Sequence, residues 1–82
     1  MRRKIVAGNW KMNMSSESSN AFFNELKSSD WPEDVNCIIA PPIIYLIELQ
    51  KINGEQIHLC GQNCHSNDSG AFTGEIGAAM LN

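Results

Sequence analysis

The segment with the clearest chemical potential is VAGNWKMN at residues 6–13, in which an amide and a cationic amine follow an apolar run. Asn9 and Lys11 are two residues apart, so on an extended backbone both side chains point to one side and Trp10 points to the other. Parallel α/β enzymes build their sites from polar groups at the C-terminal ends of short buried strands. Asn9 and Lys11 are therefore candidate binding residues. A strand that simply ends in polar loop residues explains this segment equally well.

The elements that would hold this segment alternate between strands and helices. Apolar runs predict three strands, at residues 4–8, 35–40 and 57–61. Phe22, Phe23 and Leu26 fall on one face of a first helix, whose N-cap candidates are residues 16–19 of a serine-rich stretch at residues 15–19. Further helices are predicted at residues 43–53, after a proline pair, and from residue 76 to residue 81, with a polar loop at residues 63–73.

This order of elements indicates an α/β fold. Strands that alternate with helices require a parallel sheet with right-handed crossovers. The near-continuous apolar character of the first two strands is typical of strands that are covered on both faces. One alternative is a small, self-contained three-layer α/β domain.

Four segments, in order along the chain, resemble one known family. They are VAGNWKMN at residues 6–13, CIIAPP at 37–42, GQNC at 61–64 and GAFTGEI at 70–76. Together they resemble the triosephosphate isomerase family, and the first and last are highly specific to it. The resemblance implies the N-terminal β-α-β-α-β-α portion of a (β/α)8 TIM barrel, with three of its eight strands. Because such a barrel takes about 250 residues, residues 1–82 are expected to be a partial TIM-barrel domain.

The resemblance implies the isomerisation of dihydroxyacetone phosphate and glyceraldehyde 3-phosphate through an enediolate, in glycolysis and gluconeogenesis, with no cofactor. On this basis Asn9 and Lys11 bind the substrate, and Lys11 also acts electrostatically in catalysis. A compact ammonium offers three donors to a dianionic substrate and is in place where negative charge develops. The resemblance also implies a glutamate base paired with a neutral histidine electrophile. His58 and His65 do not lie in those motifs, so the chain is expected to end before them and to be inactive alone.

The same resemblance implies a homodimer. Residues 70–75 resemble a loop that docks into a pocket of the partner subunit. The implied interface residues are Met12, Phe72, Thr73, Gly74 and Glu75, with Thr73 reaching toward the other subunit's site and Glu75 making an ionic contact across the interface. From the sequence alone, a mobile loop whose phenylalanine folds back on its own core is favoured.

Gln62 and Asn63 follow the third strand and are implied to support the site. Their amides are expected to brace the loop and Asn9 through hydrogen bonds. A catalytic role is not expected, because carboxamides neither gain nor lose protons near neutral pH.

Net charge, apolar runs and the cysteine count limit the binding partners and the cellular location that we expect. The net charge of -3 and the absence of a basic stripe argue against nucleic acid or an anionic membrane as the main partner. No run approaches the roughly 18 apolar residues of a membrane span, and the apolar run after the basic start is too short for a signal peptide. We therefore expect a cytoplasmic protein. Three cysteines, an odd number, fit reduced thiols better than a disulfide framework.

Two alternative functions are non-catalytic. One is a zinc-binding module, and the other is a protein-interaction module that uses the Phe72 loop. Two cysteines and two histidines, Cys60, Cys64, His58 and His65, lie within eight residues. Structural zinc sites use these residue types, but this spacing would require a very tight fold around one ion. We therefore predict no metal site.

Overall fold

The computed structural model describes residues 2–54 and 57–82. Three strands form one parallel sheet in the order β1, β2, β3, namely Lys4–Asn9, Val35–Ala40 and Ile57–Leu59. The helices are α1 (Ser16–Ser28), α2 (Leu46–Ile52), which follows a 3-10 turn at Ile43–Tyr45, and α3 (Ala78–Leu81). The predicted β-α-β-α-β-α order and parallel sheet are confirmed.

The strand register brings the C-terminal ends of the strands to one edge of the sheet. Asn9 at the end of β1 lies opposite Ala40 at the end of β2, and Ile39 lies opposite Leu59 of β3. The ladder continues one step past β1, where the Trp10 N–H donates to the Ala40 carbonyl at 3.0 Å. Polar residues that follow these strands therefore share one edge, which we call the carboxyl edge.

Helix α1 begins in the serine-rich segment, but its N-cap is Ser15, one residue before the predicted candidates at residues 16–19, which lie inside the helix. The Ser15 hydroxyl accepts from the Ser18 N–H at 3.1 Å, and the Ser15 N–H donates to the Ser18 hydroxyl at 2.9 Å. This reciprocal capping satisfies N–H groups that a helix start would otherwise leave unpaired. Further along, Trp31 donates its indole N–H to the Leu26 carbonyl at 2.9 Å, which satisfies a carbonyl near the helix end.

Both α1 and α2 pack on the same face of the sheet. Cys37 and Ile39 alternate along β2 and are buried with Phe23 of α1 and Leu49 of α2, the last two fully. Trp10 and Ile57 complete the buried cluster. Burial raises the pKa of the Cys37 thiol, so this cysteine serves as a small apolar core residue.

The expectation that β1 is covered on both faces is wrong for the part of the chain that the structure describes. Ile5 is 65% exposed and Val6 is 53% exposed. Both helices lie on one face of the sheet, so neither covers the other face of β1, and on their own face they pack mainly on β2.

Strand β2 has its predicted bounds, and the ends of the other elements differ from their predicted positions by at most three residues. Strand β1 extends to Asn9, whereas β3 ends at Leu59, two residues early. Helix α3 begins at Ala78 because Gly77 is extended and offers no side-chain cap. The Asn53 backbone after α2 is also extended, and its amide donates to the Ile57 carbonyl at 3.0 Å. None of the helices within residues 2–54 and 57–82 is long and apolar enough to cross a membrane.

Candidate functional site

Asn9 and Lys11 lie at the carboxyl edge and are both exposed, whereas Trp10 between them is buried. The indole of Trp10 packs edge-to-face on the Phe22 ring, with the ring centroids 5.7 Å apart. Burial of this ring against α1 fixes the point where the chain leaves β1. The loop that follows therefore starts from a rigid base.

The backbone at Lys11 is left-handed, with φ of 56°. The extended geometry assumed from the two-residue spacing ends at Asn9 and does not reach Lys11. Instead, the Asn9 Oδ1 accepts from the Lys11 N–H at 2.9 Å. Asparagine side chains commonly bond the backbone two residues on, and a lysine adopts this backbone region only at a conformational cost. The amide and the amine are therefore linked through the backbone.

Gln62 connects the first loop to the rest of the carboxyl edge. Its Nε2 donates to the Lys11 carbonyl and to the Ala40 carbonyl, each at 2.9 Å. The sequence predicts that Gln62 braces the loop and Asn9 through hydrogen bonds. In the structure its amide bonds these two carbonyls and not Asn9. Asn63 lies next to it and is exposed.

The remainder of the first loop is anchored on both sides. Asn13 donates its side-chain N–H to the Trp10 carbonyl at 2.9 Å, and the Tyr45 hydroxyl donates to the Met14 carbonyl at the same distance. Met14 is also left-handed, with φ of 82°. Between these anchors the Met12 side chain is 96% exposed, so this apolar side chain lies almost entirely in solvent.

The second loop, residues 65–76, is closed at its base. The His65 N–H donates to the Ile76 carbonyl at 2.7 Å, and His65 pairs with Gly77 in an isolated parallel bridge. At the tip the Glu75 N–H donates to the Phe72 carbonyl at 3.0 Å, and Gly74 has φ of 86°, a region that favours glycine. Thr73, Gly74 and Glu75 are exposed.

Phe72 packs within its own loop rather than on the core. Its ring lies 4.1 Å from the His65 ring, centroid to centroid, and the side chain remains 42% exposed. Gly70 has φ of 141°, a region that favours glycine, and a Cβ there would also come within 2.7 Å of this ring. The ring is held in place and half of its surface remains available for contact. The sequence predicts a bracing role for Gln62 but not its partners, and it gives no signal for the packing of Phe72 on His65.

The zinc alternative finds no support in the described residues. Across residues 2–54 and 57–82, no three His, Cys, Asp or Glu side chains come together in a way that would hold a metal ion. His65 Nδ1 already accepts from the Asn67 N–H at 3.0 Å.

A groove of about 700 Å³ lies elsewhere, between α2, β3 and α3. Its apolar lining includes Ile47, Leu59 and Met80, and none of the site residues predicted from the sequence borders it. The candidate site is thus an open, polar edge rather than this groove.

Comparison with known proteins agrees with the motifs. A family profile described as triosephosphate isomerase matches residues 4–82. Proteins named triosephosphate isomerase from Cytophaga hutchinsonii, Alkaliphilus metalliredigens and Chlorobium phaeobacteroides are 39%, 44% and 42% identical to it, each over 99% of this chain. These matches cover 34%, 33% and 33% of the three relatives. The chain therefore spans about a third of the length of the curated relatives it matches.

Proposed function

The chain belongs to the triosephosphate isomerase family, and from this premise we propose that it supplies the substrate-binding edge of an enzyme that interconverts dihydroxyacetone phosphate and glyceraldehyde 3-phosphate. The observation that carries the proposal is the linked pair at the carboxyl edge, where the Asn9 side chain holds the Lys11 backbone at 2.9 Å. Sites of α/β barrels form at this edge. In this proposal, residues 1–82 contribute Asn9 and Lys11 to the substrate site.

Lys11 acts in this proposal as a fixed positive charge. Its ammonium binds the phosphate and stabilises the enediolate oxygens that develop negative charge during proton transfer. Asn9 positions the Lys11 backbone, because its amide carries no charge and the amide oxygen accepts from the Lys11 N–H. The reaction is an intramolecular oxidoreduction, in which one carbon is oxidised and its neighbour is reduced as protons move between the two carbons and between their oxygens. It therefore needs no external oxidant or reductant.

We place the general base and the electrophile in the part of the longer protein that relatives possess and this chain does not span. Exposed apolar side chains support a larger fold around residues 1–82. Ile5 and Val6 on β1, Ile44 and Ile47 near α2, and Met80 on α3 are each more than half exposed. Such surfaces are normally covered, since burying an aliphatic side chain contributes about 1.5–3 kcal/mol.

We also propose that the complete enzyme is a cytoplasmic homodimer. The second loop supports this, because it is tied at its base and presents Thr73, Gly74 and Glu75 outward beside the half-exposed Phe72 ring. Met12, at 96% exposure, offers a second apolar contact near the site. Aromatic residues and methionine are enriched at protein interfaces. The net charge of -3 gives no reason to include nucleic acid or an anionic membrane among the partners.

The test compares two proteins in an assay that couples product formation to a dehydrogenase. The longer protein that contains these residues is expected to interconvert the two triose phosphates with enzyme-like turnover. Residues 1–82 alone are expected to show only background, since they carry no base or electrophile from the family's motifs. An inactive, folded longer protein would contradict the proposed function, and an active 82-residue chain would contradict the division of the site.

A further inference from the structure

We propose that the neutral imidazole of His65 holds the Phe72 ring in position for contact with a second copy of the chain, and that protonation of this imidazole weakens the dimer. The inference rests on the homodimer proposed above and adds to it a residue and a dependence on pH. It starts from two contacts of one ring. His65 Nδ1 accepts from the Asn67 N–H at 3.0 Å, and the imidazole stacks on Phe72 with the ring centroids 4.1 Å apart.

The first contact fixes the protonation state of the His65 ring. A backbone N–H can only donate, so Nδ1 has to be the nitrogen without a proton, and the proton of the neutral imidazole lies on Nε2. In an imidazolium both nitrogens carry protons, and the proton on Nδ1 would then point at the Asn67 N–H. The observed position of the ring is therefore suited only to the neutral imidazole.

The backbone at the base of the second loop is held independently of this ring. The His65 N–H donates to the Ile76 carbonyl at 2.7 Å, and His65 pairs with Gly77 in a parallel bridge. A Cβ at Gly77 would come within 2.7 Å of the Asp68 carbonyl oxygen, so the two sides of the loop are in close contact there. Protonation therefore acts on the imidazole and on the ring stacked on it, rather than on the base of the loop.

Phe72 connects the imidazole to the proposed dimer surface. The planes of the two rings are inclined by 30°, and the Phe72 side chain keeps 42% of its surface exposed beside Thr73. If the imidazole rotates away from the Asn67 N–H, this stack is lost and Phe72 gains rotamer freedom. Association then has to order the ring again, and ordering a side chain at an interface weakens binding.

Two carboxylates and the aromatic ring itself favour an imidazolium and oppose this effect. Asp68 and Glu75 line a cavity of about 170 Å³ together with His65, but both are exposed, so solvent and salt weaken their attraction. Helix α3 borders the same cavity and carries no titratable side chain. A cation also attracts an aromatic face, but only while the imidazole stays where the Asn67 N–H opposes its second proton. The direct contact at 3.0 Å therefore decides the direction.

The experiment measures the dimer dissociation constant of the longer protein by sedimentation, from about pH 8 to about pH 5.5, the range in which imidazoles titrate. The loss of one hydrogen bond corresponds to about a tenfold change in an equilibrium constant. We expect the dissociation constant to rise on acidification by about tenfold for each loop, and so by about a hundredfold for the two equivalent loops of a dimer. A constant that does not rise would overturn the inference.

Variants of the longer protein separate His65 from other groups that titrate. His65→Phe keeps an aromatic ring beside Phe72, and His65→Asn keeps an acceptor for the N–H two residues on. Neither side chain titrates in this range, so both variants should lose most of the rise. His65 lies outside the buried cluster, and both are expected to fold, as thermal midpoints at pH 8 would verify. His58→Asn, at the exposed histidine of β3, is the matched control and should keep the rise. The full rise in both His65 variants would overturn the inference.

A local readout distinguishes this inference from the homodimer on which it rests. Amide hydrogen exchange in the longer protein reports on the Asn67 N–H, whose protection is expected to fall as the imidazole is protonated. A protein that is monomeric at every pH but loses this protection in acid would overturn the homodimer and retain the effect of protonation on the loop. A dimer in which the Asn67 amide stays equally protected from pH 8 to pH 5.5 would overturn the role of His65 alone.

Discussion

The Lys11 N–H donates to the Asn9 side chain across two residues, at 2.9 Å. The residue that carries the amide thus also sets the backbone of the residue that carries the charge. Asn9 is the last residue of β1, so its position is fixed by the sheet. A change at either residue is therefore expected to affect the other, and their roles have to be separated by the size of each effect.

Removing the Lys11 charge is expected to be the most damaging single change. Lys11→Met in the longer protein keeps much of the bulk of the side chain and should lower kcat/KM by more than about a thousandfold. Charge-assisted hydrogen bonds contribute about 1.5–3 kcal/mol each, and a fixed charge at a developing oxyanion about 3–4 kcal/mol. Lys11→Arg should recover only part, because a planar guanidinium differs in reach from a point charge. A folded Lys11→Met variant whose kcat/KM lies within a few-fold of the parent value would remove Lys11 from the proposed site.

Changes at Asn9 are expected to cost less. Asn9→Ala removes the acceptor for the Lys11 N–H, and the net loss of one hydrogen bond, about 0.5–1.5 kcal/mol, predicts a fall in kcat/KM of about two- to thirteenfold. Asn9→Asp keeps an acceptor but adds negative charge where a phosphate is proposed to bind, so it should raise KM more than Asn9→Ala does. Steady-state kinetics separate the two, and equal KM values would argue against an anionic substrate beside Asn9.

The second loop is expected to act through assembly. Replacing residues 72–74 by a short polar link removes the half-exposed Phe72 ring and the Gly74 turn. In the longer protein this should give monomers with much reduced activity, measured by light scattering and by the coupled assay. A dimer that persists after the replacement would show that this loop is only a surface feature.

The contact between α1 and α2 is expected to depend on pH. The Ser16 hydroxyl donates to Glu48 Oε2 at 2.8 Å and the Asn20 amide donates to Oε1 at 3.1 Å. These bonds, that from Ser16 first, lower the pKa of Glu48. A lowered pKa means that their stabilisation is present above the unfolded value of about 4.3 and is lost as the pH falls through the folded value.

The corresponding variant is Glu48→Gln. It should reduce the thermal midpoint at pH 7, and the difference from the parent should shrink as the pH falls below about 4. Glu25→Gln, at an exposed position on α1, is the control and should change the midpoint less. If Glu48→Gln lowered the thermal midpoint equally at pH 7 and in acid, the carboxylate would not be the stabilising group.

The adjacent phenylalanines of α1 test the packing of the fold. Phe23 is fully buried and Phe22 is 39% exposed. Phe23→Ala should lower the free energy of unfolding by about 3–5 kcal/mol, whereas Phe22→Ala should cost clearly less because part of that ring is already in water. Denaturant titration of both variants measures this, and equal losses would place the core on a different face of α1.

The sequence by itself determined the order of elements and the family. Apolar runs of strand length that alternate with a helical period indicate a parallel α/β fold, because each period reflects local backbone geometry. The start of α1 in the serine-rich segment, although not its exact N-cap residue, and the burial of Phe23 follow from the same local rules. Asn9 and Lys11 were recognisable because their motif is contiguous along the chain.

What only the tertiary structure decided are contacts between residues far apart in sequence. Gln62 meets the Lys11 carbonyl across 51 residues and the Ala40 carbonyl across 22, and no local pattern encodes either contact. The left-handed backbone of Lys11, the stacking of Phe72 on His65 and the exposure of β1 likewise depend on which elements pack together. Local propensity decides whether a segment forms a helix or a strand. The register of the sheet decides which loop residues meet at the carboxyl edge, and that register depends on the packing of the whole fold.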